Sequence, residues 1–195
     1  MGPPDDFPTL ETERLRLREV READAAALFA IHGNHELMRL YGTDPVADLA
    51  GAEALIKTFA SWRQLPNPGI RWALEIKGAG GLIGTCGLFS WNKAWRKCLV
   101  GYELAKNAQG QGYMREALAT ALSWGFKEMA LNRIEAQVHP DNTSSLNLLK
   151  RLRFVEEGRL RQCGYWGGRF HDLLQYSLLR DDLRWNSSTE STFNG

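Results

Sequence analysis

The sequence is short of cysteine, of histidine and of net charge, and each shortage removes a class of function. Cys86, Cys98 and Cys163, three in 195 residues, stand far apart with no pair at zinc-ligand or redox-motif spacing, so they read as reduced, mostly buried thiols. Of four histidines, His32 and His35 form a lone H-x-x-H interrupted by Gly33, a helix-stop residue. No carboxylate or cysteine spacing completes a ligand set, and no metal is expected. Lysine and arginine number 24 against 23 acidic residues, for a formal charge of +1, too small a field to draw in nucleic acid or an anionic membrane. No apolar run approaches about eighteen residues, and the opening Met1-Gly2-Pro3-Pro4-Asp5-Asp6 lacks the regions of a signal peptide. The expectation is a cytoplasmic chain. Neither G-x-x-x-x-G-K-[ST] nor G-x-G-x-x-G followed by an acidic residue occurs, which removes the usual ATP and dinucleotide readings.

What is present is the patterning of one globular domain, with 44% hydrophobic and 24% charged residues. Alternation over 14–18 predicts a strand. Asp24 reads as the cap of a helix carrying Ala27, Leu28 and Ile31 and ending near Gly33. A second helix follows with the stripe Ala52, Leu55, Ile56, Phe59 and Trp62. Strands at 72–76 and 82–89 join through the glycine-rich turn 78–81, with a third strand at 98–104. Then the order alternates: helix 112–129, strand 133–138, helix 144–153, and a hairpin of 154–164 with 170–179 turning at Gly167-Gly168. This describes an α/β domain over 9–183, a mixed, mostly antiparallel sheet with helices on both faces. A loose leader, 1–8, precedes it. From Asp181 the sequence turns polar and aperiodic, and 184–195 reads as a disordered tail.

Gln109-Gly110-Gln111-Gly112-Tyr113-Met114 lies between a buried strand and an amphipathic helix striped by Met114, Leu118, Ala121, Leu122, Gly125 and Met129. Glycines let a backbone approach an anion closely, and a helix start aims unpaired N–H groups and a positive dipole end at it. A pyrophosphate fits such a loop; a plain strand-to-helix turn fits it too.

Gln109-x-x-Gly112-x-Met114 resembles the Q/R-x-x-G-x-G/A acetyl-CoA loop of the GCN5-related N-acetyltransferases. The likeness extends over roughly 9–183. Thr12-Glu13-Arg14-Leu15-Arg16-Leu17-Arg18 is similar to the opening of the branch that resembles the ribosomal-protein N-acetyltransferases. Arg133-Ile134-Glu135-Ala136-Gln137-Val138-His139-Pro140-Asp141-Asn142 resembles its later strand, and Gly168-Arg169-Phe170-His171-Asp172 its closing hairpin. The resemblance implies an acetyl-CoA-dependent N-acetyltransferase in which two strands part after the loop and hold the pantetheine arm. It implies coenzyme contacts from Leu104, Lys106, Gln109, Gly110, Gln111, Gly112, Tyr113, Met114, Asn142 and Ser145, with Ser145 near the sulfur. Asn142 and Ser145 also read as plain helix caps. Met114 departs from the small residue usual at the loop's end. Leu149 stands where many relatives place a tyrosine acid, and Arg153 where a glycine before phenylalanine is usual.

Glu103 lies in a strand otherwise apolar on both faces, so it needs a partner or a task. One reading is an ion pair with an arginine. The other is a general base for the acceptor amine, its pKa raised by burial. Direct attack on the thioester, with strand N–H groups near Glu103 and Leu104 holding the oxyanion, requires no covalent enzyme intermediate. His171-Asp172 offers a second acid-base pair, although adjacent strand residues face opposite ways. Lys150, Arg151, Arg153, Arg159 and Arg161 cluster near Trp166, as a solvated face or a contact for phosphates or RNA. The best-fitting acceptor is a protein N-terminal α-amine. An antibiotic or polyamine amine is the alternative, as is a non-catalytic module of the same fold that binds RNA or protein. A monomer or homodimer is expected.

Overall fold

Eight strands, β1 (Leu10–Glu11), β2 (Leu15–Glu19), β3 (Ile70–Ile76), β4 (Leu82–Asn92), β5 (Lys97–Leu104), β6 (Arg133–Val138), β7 (Val155–Trp166) and β8 (Arg169–Leu179), form one sheet in the computed structural model, which describes residues 7–184. Their order is β1-β2-β3-β4-β5-β6-β8-β7. Every neighbouring pair is antiparallel except β5 and β6, which run parallel. The helices are α1 (Ala25–His32), α2 (His35–Met38), α3 (Leu49–Ser61), α4 (Tyr113–Glu128), α5 (Thr143–Arg151) and α6 (Arg180–Arg184).

Two apolar clusters explain why helices lie on both faces. On one face, the α4 stripe Ala117, Leu118, Ala121, Leu122 and Phe126 packs with Leu149 of α5 onto Leu15, Leu17, Trp72 and Leu88. Gly125 permits that approach, since a Cβ there would stand 2.5 Å from Leu88 Cδ1. On the other face, Leu28 and Ile31 of α1 and Ala52, Ile56 and Phe59 of α3 cover Ala73 and Leu82. The period-2 alternation of each strand is what sends neighbouring residues to the two clusters.

The β7–β8 hairpin turns at Gly167 and Gly168, with φ of 59° and 71°, the left-handed pair that a two-residue hairpin turn requires. As the outermost strand, β7 is irregular: its pairing register shifts between Glu156 and Gly158 and again between Leu160 and Gly164. Helix α5 ends where the missing glycine raised a question. Arg153 takes φ 67°, and Phe154 N–H and Arg153 N–H reach the carbonyls of Leu149 and Lys150 at 3.0 Å each, a Schellman closure made without glycine.

Three expectations change. Asp24 does not cap α1; its carboxylate takes Arg18 Nη1 and Nη2 at 2.8 and 2.9 Å and the Arg21 N–H at 2.8 Å. The leader is tied down where described, because Trp72 Nε1 donates to the Pro8 carbonyl at 2.7 Å and Phe7 meets the Trp72 ring edge-on. The polar stretch from Asp181 begins inside α6, whose Asp182 accepts the Leu179 N–H at 2.8 Å; positions 1–6 and 185–195 lie outside the described residues.

Candidate active site

Strands β5 and β6 pair at only three positions, Lys97 with Arg133, Cys98 with Ile134 and Leu99 with Glu135. Both strands continue past them, to Leu104 and Val138, so a gap opens in the middle of the sheet. The Ala105 N–H bonds to the Ile83 carbonyl at 2.9 Å, and the alternation of an antiparallel ladder then turns Glu103 backbone groups toward β4 and those of Leu104 toward the gap. Gln109 Nε2 occupies the Leu104 carbonyl at 3.0 Å, leaving the Leu104 N–H open. Of the two expected oxyanion donors, the one at Leu104 fits and the one at Glu103 does not.

The glycine loop runs from that gap to the start of α4. Gly110 and Gly112 take φ of 76° and 81°, and no side chain caps the helix at Gly112, so the first-turn N–H groups remain available. Gln111 Nε2 bonds back to the Asn107 carbonyl at 3.0 Å, while the Gln111 carbonyl accepts Arg14 Nη1 at 3.0 Å. Arg14 itself is held by Glu116 at 2.7 Å and lies over the Tyr113 ring at 4.6 Å. It brings a guanidinium to the loop that sequence reasoning had left in a distant strand. Met114 is buried in the core and offers only its backbone. Lys106 Nζ is engaged by Glu36 at 2.9 Å, joining the loop to α2.

Ser145 stands at the start of α5, where Asn142 accepts its N–H at 3.1 Å as a cap and donates Nδ2 to the Leu40 carbonyl at 3.4 Å. Leu149 lies fully in the core. The phenol near Ser145 comes instead from Tyr102 of β5, whose hydroxyl is 2.7 Å from Ser145 Oγ. Burial pushes the Tyr102 pKa up to about 12 against the lowering effect of the Ser145 bond. Either hydroxyl can donate in this pair; with the phenol as donor to Oγ, the serine hydrogen is free for a departing thiolate.

Glu103 is a paired carboxylate. Its Oε2 takes Arg71 Nη2 and the Tyr41 hydroxyl, the latter at 2.7 Å, and its Oε1 takes the Thr85 hydroxyl. His32 Nε2 stands 3.2 Å from Oε1. That is an ion-pair distance outside hydrogen-bond direction, for Nε2 has no hydrogen-bond partner among the described residues. Burial alone would raise the Glu103 pKa, yet Arg71, His32 and Thr85 outweigh it and hold the carboxyl well below its ordinary range. The expected raised pKa is therefore corrected. Gly87 and Gly101 clear the path for Arg71: a Cβ on Gly87 would meet Arg71 Cδ at 2.7 Å, and one on Gly101 would meet Arg71 Nη1 at 3.2 Å.

On the Glu103 face, the chain following α2 docks on the tip of the β7–β8 hairpin. Trp166 Nε1 donates to the Arg39 carbonyl at 3.0 Å, and the Gly167 N–H to Asp44 Oδ1 at 2.7 Å. Between them lies a cleft of about 380 Å³ whose lining includes His35, Arg39, Asp44, Trp166, Arg169 and His171. Trp166 is buried and stacked on His171, with centroids 3.7 Å apart. His32 and His35 part company, one buried beside Glu103 and the other exposed at the cleft. Among the described residues no three potential ligands gather for a metal.

A family model for the acetyltransferase (GNAT) domain matches residues 14–155. The chain belongs to the GNAT acetyltransferases. It is 37% identical to the uncharacterized N-acetyltransferase YoaA of Bacillus subtilis (strain 168) over 174 residues, covering 89% of this chain and 98% of that one. It is 25% identical to the spermidine N(1)-acetyltransferase of Vibrio cholerae, covering 86% and 94%. Among solved structures, Mycobacterium smegmatis RimJ in complex with CoA-disulfide superposes with a TM-score of 0.81 at 26% identity, covering 94% of this chain and 92% of that one. The protein is thus an acetyl-CoA-dependent N-acetyltransferase.

Uncapped N–H groups at α4 suit the pyrophosphate, and the β5–β6 gap suits the pantetheine arm. Arg71, Thr85 and Tyr102 were missed. Arg71 carried a signal, a charge among apolar strand residues, but it fell one position before the predicted strand.

Proposed function

We propose that the protein transfers the acetyl group of acetyl-CoA to the α-amine of a protein or peptide N-terminus, by direct attack on the thioester. The observation that carries this reading is the charge of the cleft beside the hairpin. Arg39 and Arg169 face it with no ion-pair partner among the described residues, and Asp44, already holding the Gly167 N–H, is the one carboxylate in the lining. A polyamine or aminoglycoside carries several positive charges and would meet two guanidiniums there; a peptide presents one amine and a chain of carbonyls that guanidiniums bind well.

The acceptor's acidity supports the same choice. An α-amine with a pKa of ~7.8 is roughly one-seventh neutral at pH 7, against roughly one molecule in 2,500 for lysine. The amine nitrogen attacks the thioester carbon, the Leu104 N–H steadies the developing oxyanion, and Ser145, oriented by Tyr102, donates to the departing sulfur. Coenzyme is held through residues 109–114 with Arg14 beside them. We place the reaction in the cytoplasm, where cysteines stay reduced; no helix of the described residues is long and apolar enough to cross a membrane.

Labelled acetyl-CoA offered with N-terminal peptides, lysine peptides, spermidine and an aminoglycoside tests the acceptor. Label on peptide α-amines, with the polycations at background, is the expected outcome. Preferential labelling of spermidine or the aminoglycoside overturns it.

A further inference from the structure

With Glu103 buried in an ion pair, the site needs another group to take the proton of the acceptor amine. His35 and His171 line the cleft, His35 on the exposed turn of α2, and His139 packs against the His171 ring. His139, at the end of β6, uses its Nδ1 to accept the Asp141 N–H at 3.1 Å, so that lone pair is occupied. His171 is different. Its Nε2 lies 3.1 Å from the Trp166 carbonyl, which can only accept, so Nε2 carries the hydrogen and Nδ1 the lone pair. Nδ1 has no partner among the described residues, and the ring lines the cleft. The ring is locked in orientation by stacking on Trp166, with an interplanar angle of 10°.

We infer that His171, held as the Nε2–H tautomer by the Trp166 carbonyl, is the general base that takes the proton of the acceptor ammonium through Nδ1. The inference rests on the reading of this cleft as the acceptor's seat. Charged and titratable groups face the ring from several elements. His139, just after β6, lies 5.3 Å away between centroids; from β8 comes Arg169, and from α2 and the chain after it His35 and Arg39, opposed by Asp44 and by Asp141 beside His139. Asp172 does not belong to this set, because it turns to the other face, to Arg159 Nε at 2.7 Å and the Gln162 N–H at 2.8 Å.

The proton count closes. An ammonium acceptor loses two protons in becoming an amide. One passes to Nδ1 before attack and from there to solvent through the open cleft. The second, released as the C–N bond forms and the C–S bond breaks, balances the proton gained by the thiolate through Ser145.

His171→Gln keeps a donor for the Trp166 carbonyl but cannot accept a proton. Near neutral pH its kcat should fall about 10²- to 10⁴-fold, with KM for acetyl-CoA and Tm close to wild type. The lost rate should return as pH rises through the acceptor's own pKa, where the amine is neutral without help. His171→Asn, read the same way, serves should glutamine unsettle the hairpin. A folded variant with wild-type kcat at neutral pH, a loss confined to KM for the acceptor, or a loss that ignores pH overturns the assignment. If the wild type acetylates spermidine and no peptide, the acceptor reading falls by itself, and the same pH profile on spermidine still decides His171.

Discussion

At the scale of the residue, Glu103 shows how far a sequence can be read. An acidic side chain in an apolar strand demands a partner, and that demand is visible in Cys98-Leu99-Val100-Gly101-Tyr102-Glu103-Leu104. Which partner satisfies it is not, because Arg71 reaches Glu103 only through the β3–β4–β5 register and the room left at Gly87 and Gly101. Glu103→Gln leaves a fully buried guanidinium without its counter-charge, so unfolding should become easier by about 3–5 kcal/mol. The sign of the pH effect follows from the lowered pKa. The stabilisation is complete above the ordinary carboxylate range and is lost as pH falls from there through the folded-state value. Melting curves of the two proteins should therefore converge in acid, and a constant gap would deny the pair its role. Tyr102 was hidden for the opposite reason. It reads as one more apolar strand residue, and its hydroxyl acquires meaning only when α5 brings Ser145 to it. Tyr102→Phe removes one neutral hydrogen bond of about 1 kcal/mol, so kcat should drop roughly fivefold with KM for acetyl-CoA unchanged in steady-state assays. An unaltered kcat would leave the pair a packing contact.

At the scale of the element, periodicity located the long helices and strands to within a few residues, since burying one face against the sheet is what both patterns encode. It overlooked α2, four residues capped by Asn34 through the N–H groups of Glu36 and Leu37 at 3.0 and 3.2 Å, because one turn is too short to show a period. That turn proves important, for it carries one wall of the cleft and, through Glu36, a contact to Lys106 just ahead of the glycine loop. The start of α4 was legible because its chemistry is written in consecutive residues. At a hundred times its Kd, acetyl-CoA should stabilise the protein by about 2.7 kcal/mol through linkage. Gly112→Val places a β-branched residue at a positive φ and narrows the loop, so the Tm rise with coenzyme should vanish in differential scanning fluorimetry. A preserved rise would move the pyrophosphate elsewhere.

At the scale of the whole molecule, order of elements and four separated sequence likenesses sufficed for the family, whereas the cleft proposed for the acceptor rests on long-range geometry. Arg39, Trp166 and His171 meet because the hairpin tip folds back against a loop more than a hundred residues earlier in the chain. A net charge of +1 gives the whole molecule little field, so charge acts locally, as at Arg39 and Arg169 in the cleft. The sheet's margins have a consequence of their own. At one end β1 has two residues; at the other, β7 is broken by two register shifts and studded with Glu156, Glu157, Arg159 and Arg161. Neither border offers the long, flat row of unpaired amides that templates strand addition. The native molecule is thereby protected against growing into fibrils edge by edge, and aggregation on heating has to wait until the sheet itself has come apart.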